Sequence, residues 1–139
     1  MDDIVAALGA TDLFSGLSDR QLKLIAQATK ELAIADGTVL IEQGQNMTHM
    51  SVIATGEAVV TVDGTEVGRV GPGDVIGELS LIDEANASAT VTFPDGGRVW
   101  HLARTGFIPV WAKNQGEIST SMLMAVTKKL RETNSRIAG

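Results

Sequence analysis

No cysteine and no tyrosine occur among the 139 residues. The first absence removes disulfides, thiolate nucleophiles and zinc–thiolate sites. Histidine is almost as scarce: His49 and His101 are the only two. Neither has a metal-ligating neighbour at a useful spacing, and no H-x-H pair of the kind a metal-binding barrel carries is present. There is no P-loop and no G-x-S-x-G elbow. Asp83-Glu84 reads as a solvated loop rather than a pair of catalytic acids. With no catalytic constellation in view, the expectation is a protein that is not an enzyme, with no metal and no cofactor.

Positive charge is also short. Eleven Lys and Arg stand against 17 Asp and Glu, for a net charge of −6. That balance argues against a general nucleic-acid-binding surface, which depends on a basic face. No run of about 20 apolar residues exists, so no membrane-spanning helix is expected. Met1-Asp2-Asp3 lacks the basic start of a signal peptide, and the expected location is the cytoplasm.

What the chain does have is a hydrophobic fraction of 44%, enough to build a core, and a length that points to one domain over residues 1–139. Helices are expected over about 11–34. Ser18 and Gln21 fit a capping box, and Leu22, Ile25, Ala26 and Thr29 follow at helical spacing. From about 38 to 103 the pattern changes to short β-rich runs: Val39–Ile41, Met50–Ile53, Ala58–Val62 and Thr65–Val67. Asp63-Gly64 is a strong signal for a type I′ hairpin turn. A second hairpin is expected from Thr90–Phe93 to Arg98–Leu102 across Pro94–Gly97. Helix is expected again over about 105–136, first at Phe107–Trp111, then as a longer element from about Gln115. That last helix carries two apolar stripes, one of Ile118, Met122 and Ala125, the other of Leu123, Val126, Leu130 and Ile137. The fold class is therefore α+β, mainly β.

One segment carries more information than the rest. Gly73-Asp74-Val75-Ile76-Gly77-Glu78-Leu79-Ser80-Leu81-Ile82 is followed by Ala87-Ser88-Ala89-Thr90-Val91. This run resembles the phosphate-binding cassette of cyclic nucleotide-binding domains, roughly G-D-x-x-G-E-[LI]-[AS]-L-[LI] and then R-[SA]-A-[TS]-V. The likeness extends to Val39–Gln45, Met50–Ala58, Val70–Asp74, Leu102–Phe107 and Leu130–Asn134, in the family's order.

The resemblance implies an eight-stranded β-roll, a double-stranded β-helix of jelly-roll type, with N-terminal helices and a long C-terminal helix. It implies ligand contacts from Gly77, Leu79, Ser80 and Ser88 through their backbones, and from Glu78 to a ribose 2′-hydroxyl. Ala89 belongs to the same closing motif, and Thr90 stands where a polar contact to the base is common. The ligand implied is cAMP or cGMP. A phosphate suits unpartnered N–H groups at a helix start, and a carboxylate suits a hydroxyl. The family's arginine position is Ala87, and no Lys or Arg occurs between Arg69 and Arg98. Loss of that charged pair should weaken binding by roughly a hundredfold or more. Arg69, Arg98, Arg104 and His101 are the cations that could reach in instead.

Two functional expectations follow. The first is a stand-alone regulatory module that binds a cyclic nucleotide weakly or atypically. The second is a degenerate domain that binds none and works by protein–protein contact. In either case Leu123, Val126 and Leu130 of the last helix are the expected dimer or partner face. A DNA-binding output is not expected, because the sequence ends at Gly139 without a helix-turn-helix.

Overall fold

A computed structural model describes residues 2–81 and 85–113. The expected long C-terminal helix, with Leu123, Val126 and Leu130, lies outside the described residues, as do Asp83 and Glu84. In chain order the elements are α1 (Asp2–Gly9), α2 (Asp19–Ala28), β1 (Lys30–Ile34), β2 (Thr38–Ile41), β3 (Asn46–Met47), β4 (His49–Thr55), β5 (Ala58–Val62), β6 (Thr65–Val70), β7 (Val75–Ile76), a 3₁₀ turn (Glu78–Leu81), β8 (Ala85–Asn86), β9 (Thr90–Phe93), β10 (Gly97–Ala103) and α3 (Arg104–Lys113).

Eight strands form two four-stranded antiparallel sheets, ordered β1-β10-β4-β7 and β2-β9-β5-β6. The remaining two, β3 and β8, pair as a short antiparallel ribbon. This is the mainly β roll that the family resemblance implied. The Asp63-Gly64 hairpin is present: β5 pairs with β6, and both turn residues have positive φ, 52° and 81°. Positive φ at both central positions is what a type I′ turn demands.

Two expectations are corrected. Helix was expected as far as residue 34, but α2 ends at Ala28 and Lys30–Ile34 is a strand paired with β10. Leu32 and Ile34 are two residues apart, the strand period rather than the helical one, and pairing to β10 extends the sheet over them. The second hairpin does not exist. Thr90–Phe93 pairs with β2 and β5 in one sheet, and Gly97–Ala103 pairs with β1 and β4 in the other. Pro94–Gly97 is a crossing between sheets, which a local turn signal cannot distinguish from a hairpin.

The first sheet is covered on both faces. Along β4, Met50 and Val52 point to the helices, while Ile53 points into the roll. Alternate side chains of a strand face opposite ways, so both sets are buried only because both faces are covered. The helical layer is sealed by Leu13, Phe14, Leu22, Ile25 and Phe107. The Phe14 and Phe107 rings lie 5.8 Å apart, tilted by 42°. Helix α2 starts with the expected capping box. The Ser18 hydroxyl accepts from Gln21 N, and Gln21 Oε1 accepts from Ser18 N. Inside the roll, Ile41, Met47, Ile53, Val91, Phe93 and Val99 make the second core cluster.

Phe107→Ala, at a side chain only 2% exposed, should therefore cost about 3–5 kcal/mol. Val67→Ala, at an edge-strand residue 61% exposed, should stay within about 0.5 kcal/mol. Urea denaturation of the two variants beside the parent checks the pair.

Candidate functional site

The candidate site is built where β7 turns away from the first sheet. Ile76 and Val75 pair with Ser51 and Val52 of β4, and Gly77 then redirects the chain. Its φ is 73°. A Cβ placed there would lie 2.8 Å from Met47 Cε and 2.9 Å from the His49 carbonyl oxygen. Only glycine combines this left-handed backbone with so close an approach. The chain then makes one 3₁₀ turn, in which Ser80 N donates to Gly77 O at 3.0 Å. A turn this short has little macrodipole, so any anion recognition here rests on individual N–H groups rather than on a helix field.

Arg104 secures the other side of that turn. Its Nε donates to Ser80 O at 2.8 Å, and its Nη2 donates to the same oxygen and to Met47 O at 3.2 Å. Its backbone N donates to Thr48 O at 2.9 Å. The side chain thereby ties the end of β10 to the cassette turn and to the ribbon strand β3.

The closing arm comes in from β8. Ala87 exchanges two backbone bonds with the turn before β3: Gly44 N donates to Ala87 O, and Ala87 N donates to Gln45 O, both at 2.8 Å. The Ala87 methyl is half-buried and packs against the core of the roll. Between the two arms lies a cavity of about 200 Å³. Five of the eight expected residues line it: Gly77, Ser80, Ala87, Ser88 and Ala89. Ile41, Met47, Ile76, Asn86 and Val91 complete its wall. Glu78 opens the 3₁₀ turn half-buried and outside that wall, and Leu79 is the turn's second residue. Thr90 begins β9 outside the wall too, where its hydroxyl accepts from Gln43 N at 2.9 Å.

None of the cations considered from sequence lines this cavity. Arg69 lies on β6, 2.8 Å from Glu57 and 3.4 Å from Glu66. Those two carboxylates, Glu57 first through its hydrogen bond, hold the guanidinium above its ordinary pKa. Arg98 on β10 pairs at 2.6 Å with Glu31 of β1. Arg104 serves the carbonyls described above.

His101 stacks on His49 instead, with ring centroids 4.4 Å apart. Both lie on the face of the first sheet that looks into the roll; His101 is in register with Ser51 and Lys30, and His49 with Ala103. Burial lowers both pKa values from the ordinary 6.5. For His49 the neighbouring His101 adds to this, and for His101 the neighbouring Lys30 does. Ser51 Oγ and His101 Nδ1 are buried with no hydrogen-bond partner among the described residues. The sequence offered His101 as a candidate cation but did not mark this polar row as a unit. Its one signal was two histidines on strands that the tertiary fold makes neighbours.

This roll, its cassette turn and its closing arm define a class of domain, and the comparisons give that class its name. The family model for the cyclic nucleotide-binding domain matches residues 31–114, more than half of the chain. The chain belongs to the cyclic nucleotide-binding domain family. It is 28% identical to a CRP-like cAMP-activated global transcriptional regulator of Mycobacterium tuberculosis, over 99% of this chain and 62% of that protein. It is 26% identical to a cAMP-dependent protein kinase regulatory subunit of Yarrowia lipolytica, over 77% of this chain and 28% of that protein. The chain thus spans less than two thirds of these relatives. Among solved structures, the N-terminal domain of a transcriptional regulator from Streptomyces coelicolor superposes with a TM-score of 0.83 at 27% identity, covering 94% of both chains. The regulatory domain of Toxoplasma gondii PKA, crystallised with cAMP, gives 0.71 at 32% identity, covering 78% of this chain and 43% of that one. Among the described residues, no helix is long and apolar enough to cross a membrane.

Two outcomes test this site. Gly77→Ala should cost about 1–3 kcal/mol from backbone strain alone, and more from the contacts with Met47 and His49; thermal unfolding measures it. The histidine pair sets a pH dependence. Because both folded pKa values are lowered, the unfolded chain binds more protons below pH 6.5. Stability should be flat above that value and fall as the pH drops through it. His101→Gln should flatten the decline, as chemical denaturation at pH ~7.5 and ~5.5 would show.

Proposed function

We propose that this chain is a non-catalytic regulatory module whose roll accepts a cyclic nucleotide, cAMP or cGMP, with weak affinity. The observation that carries this reading is the wall of the cavity. It keeps the two arms of the cassette, Gly77–Ser80 and Ala87–Ala89, around a space of about 200 Å³. Yet it presents a methyl group at position 87, where the family places the arginine that pairs with the phosphate.

The chemistry sets the magnitude. A phosphodiester entering this cavity would meet the serine residues Ser80 and Ser88, but no cation among the wall residues. Hydrogen bonds to charged groups contribute about 1.5–3 kcal/mol each. Absence of a bidentate guanidinium therefore removes two bonds of that size, a loss of roughly a hundredfold or more in affinity. The kinship with a cAMP-activated regulator and a cAMP-dependent kinase subunit supports cyclic nucleotide as the ligand class. That relatives of both kinds are regulatory proteins supports the absence of catalysis.

Isothermal titration of the parent and of Ala87→Arg with cAMP and cGMP tests the reading. The arginine should restore the charged pair and tighten binding by about a hundredfold or more over the parent. If neither protein binds at millimolar nucleotide, the cassette is a structural relic and the reading as a protein-contact module replaces this one.

A further inference from the structure

We propose that Gln43 is the positioning residue for the closing arm of the cavity, joining the tip of the β5–β6 hairpin to Thr90 and Ala87 through a single side chain and the turn it stands in. Gln43 lies between β2 and β3. Its amide meets Asp63 twice: Nε2 donates to Asp63 Oδ1 at 2.9 Å, and Oε1 accepts from Asp63 N at 2.8 Å. Its own backbone N donates to Thr90 Oγ1 at 2.9 Å. The next residues carry the arm, since Gly44 N and Gln45 O make the reciprocal pair with Ala87. The turn is closed on itself by Glu42 N donating to Gln45 Oε1 at 2.8 Å and Gln45 N donating to Glu42 O at 3.0 Å.

Two features make Gln43 the point of control rather than one contact among many. Asp63 is the only non-glycine residue with positive φ among the described residues. An amide that offers both a donor and an acceptor matches its carboxylate and its N–H at once, which no charged or apolar side chain at position 43 can do. The partners are 20 and 47 residues away along the chain; the β2-β9-β5 pairing brings them near but ends at Ile41, Thr90 and Val62, and Gln43 makes the contacts beyond it. With the Gln43 amide in place, the 42–45 turn is fixed at both ends, and Ala87 inherits that position through its two backbone bonds. Without it, one end of the turn is released.

Amide hydrogen exchange on the full chain without ligand tests this, and its outcome is independent of which molecule the cavity takes. Gln43→Glu sets two carboxylates against each other and should speed exchange of the Gly44 and Ala87 amides by about tenfold. The Met50 and Leu102 amides of the central strands should not change. Gln43→Ala, which adds no charge, should act on the same two amides. Adding Asp63→Asn to Gln43→Glu supplies a side-chain donor again and should restore slow exchange, a rescue that a merely structural contact at the hairpin tip would not give to Ala87. Unchanged exchange at Ala87 in the single variants would overturn the proposal. So would failure of the double variant to rescue, or an equal acceleration at Met50 and Leu102.

Discussion

The cavity exists because one stretch of backbone passes too close to its neighbours to carry a side chain. At Gly77 the chain leaves the sheet between Met47 and the carbonyl of His49, in a conformation with positive φ. From that contact the rest follows in order. Ile76 is held in register with Ser51, the 3₁₀ turn starts within reach of β3, and the Ser80 carbonyl faces the Arg104 guanidinium. A larger residue at 77 would move the turn outward and separate Ser80 from the arm at Ala87. The site's geometry is thus a property of backbone packing first and of side-chain chemistry second.

Charge explains how this roll differs from what its cassette motif implies. Arg69, Arg98 and Arg104, the arginines that the sequence offered, are turned to other tasks. Arg69 and Arg98 hold carboxylates at exposed strand positions, where an ion pair contributes little to stability. Arg104 holds carbonyl oxygens under the cassette turn. Alanine at 87 lets the closing arm pack against the roll core as an apolar group. An arginine there would need an anion to compensate its burial, since an unpaired buried charge is costly.

Much of this was legible in the chain, and the exceptions share a cause. Strands β2, β4, β5 and β6, the Asp63-Gly64 turn and the Ser18–Gln21 cap are written in local pattern, and the structure has them all. The 30–34 strand and the Pro94–Gly97 crossing were misread because partner choice decides both, and a partner lies tens of residues away. The two-residue strands β3 and β8 have no periodicity to detect. The cassette positions were legible by motif, and the structure brings Gly77, Ser80, Ala87, Ser88 and Ala89 to one cavity. Glu78 and Thr90 stand outside its wall, and the Thr90 hydroxyl is taken up by the bond from Gln43 N. Gln43 itself carried no signal: a glutamine beside a glycine in a turn looks like any solvated loop residue until Asp63 is folded against it.

The most direct test of the central claim is amide shift mapping of the isotope-labelled protein titrated with cAMP to millimolar concentration. The account predicts shifts confined to residues 77–80 and 87–90 and their strand neighbours, still short of saturation at micromolar nucleotide. Shifts that map elsewhere, none at all, or saturation at micromolar nucleotide would contradict it.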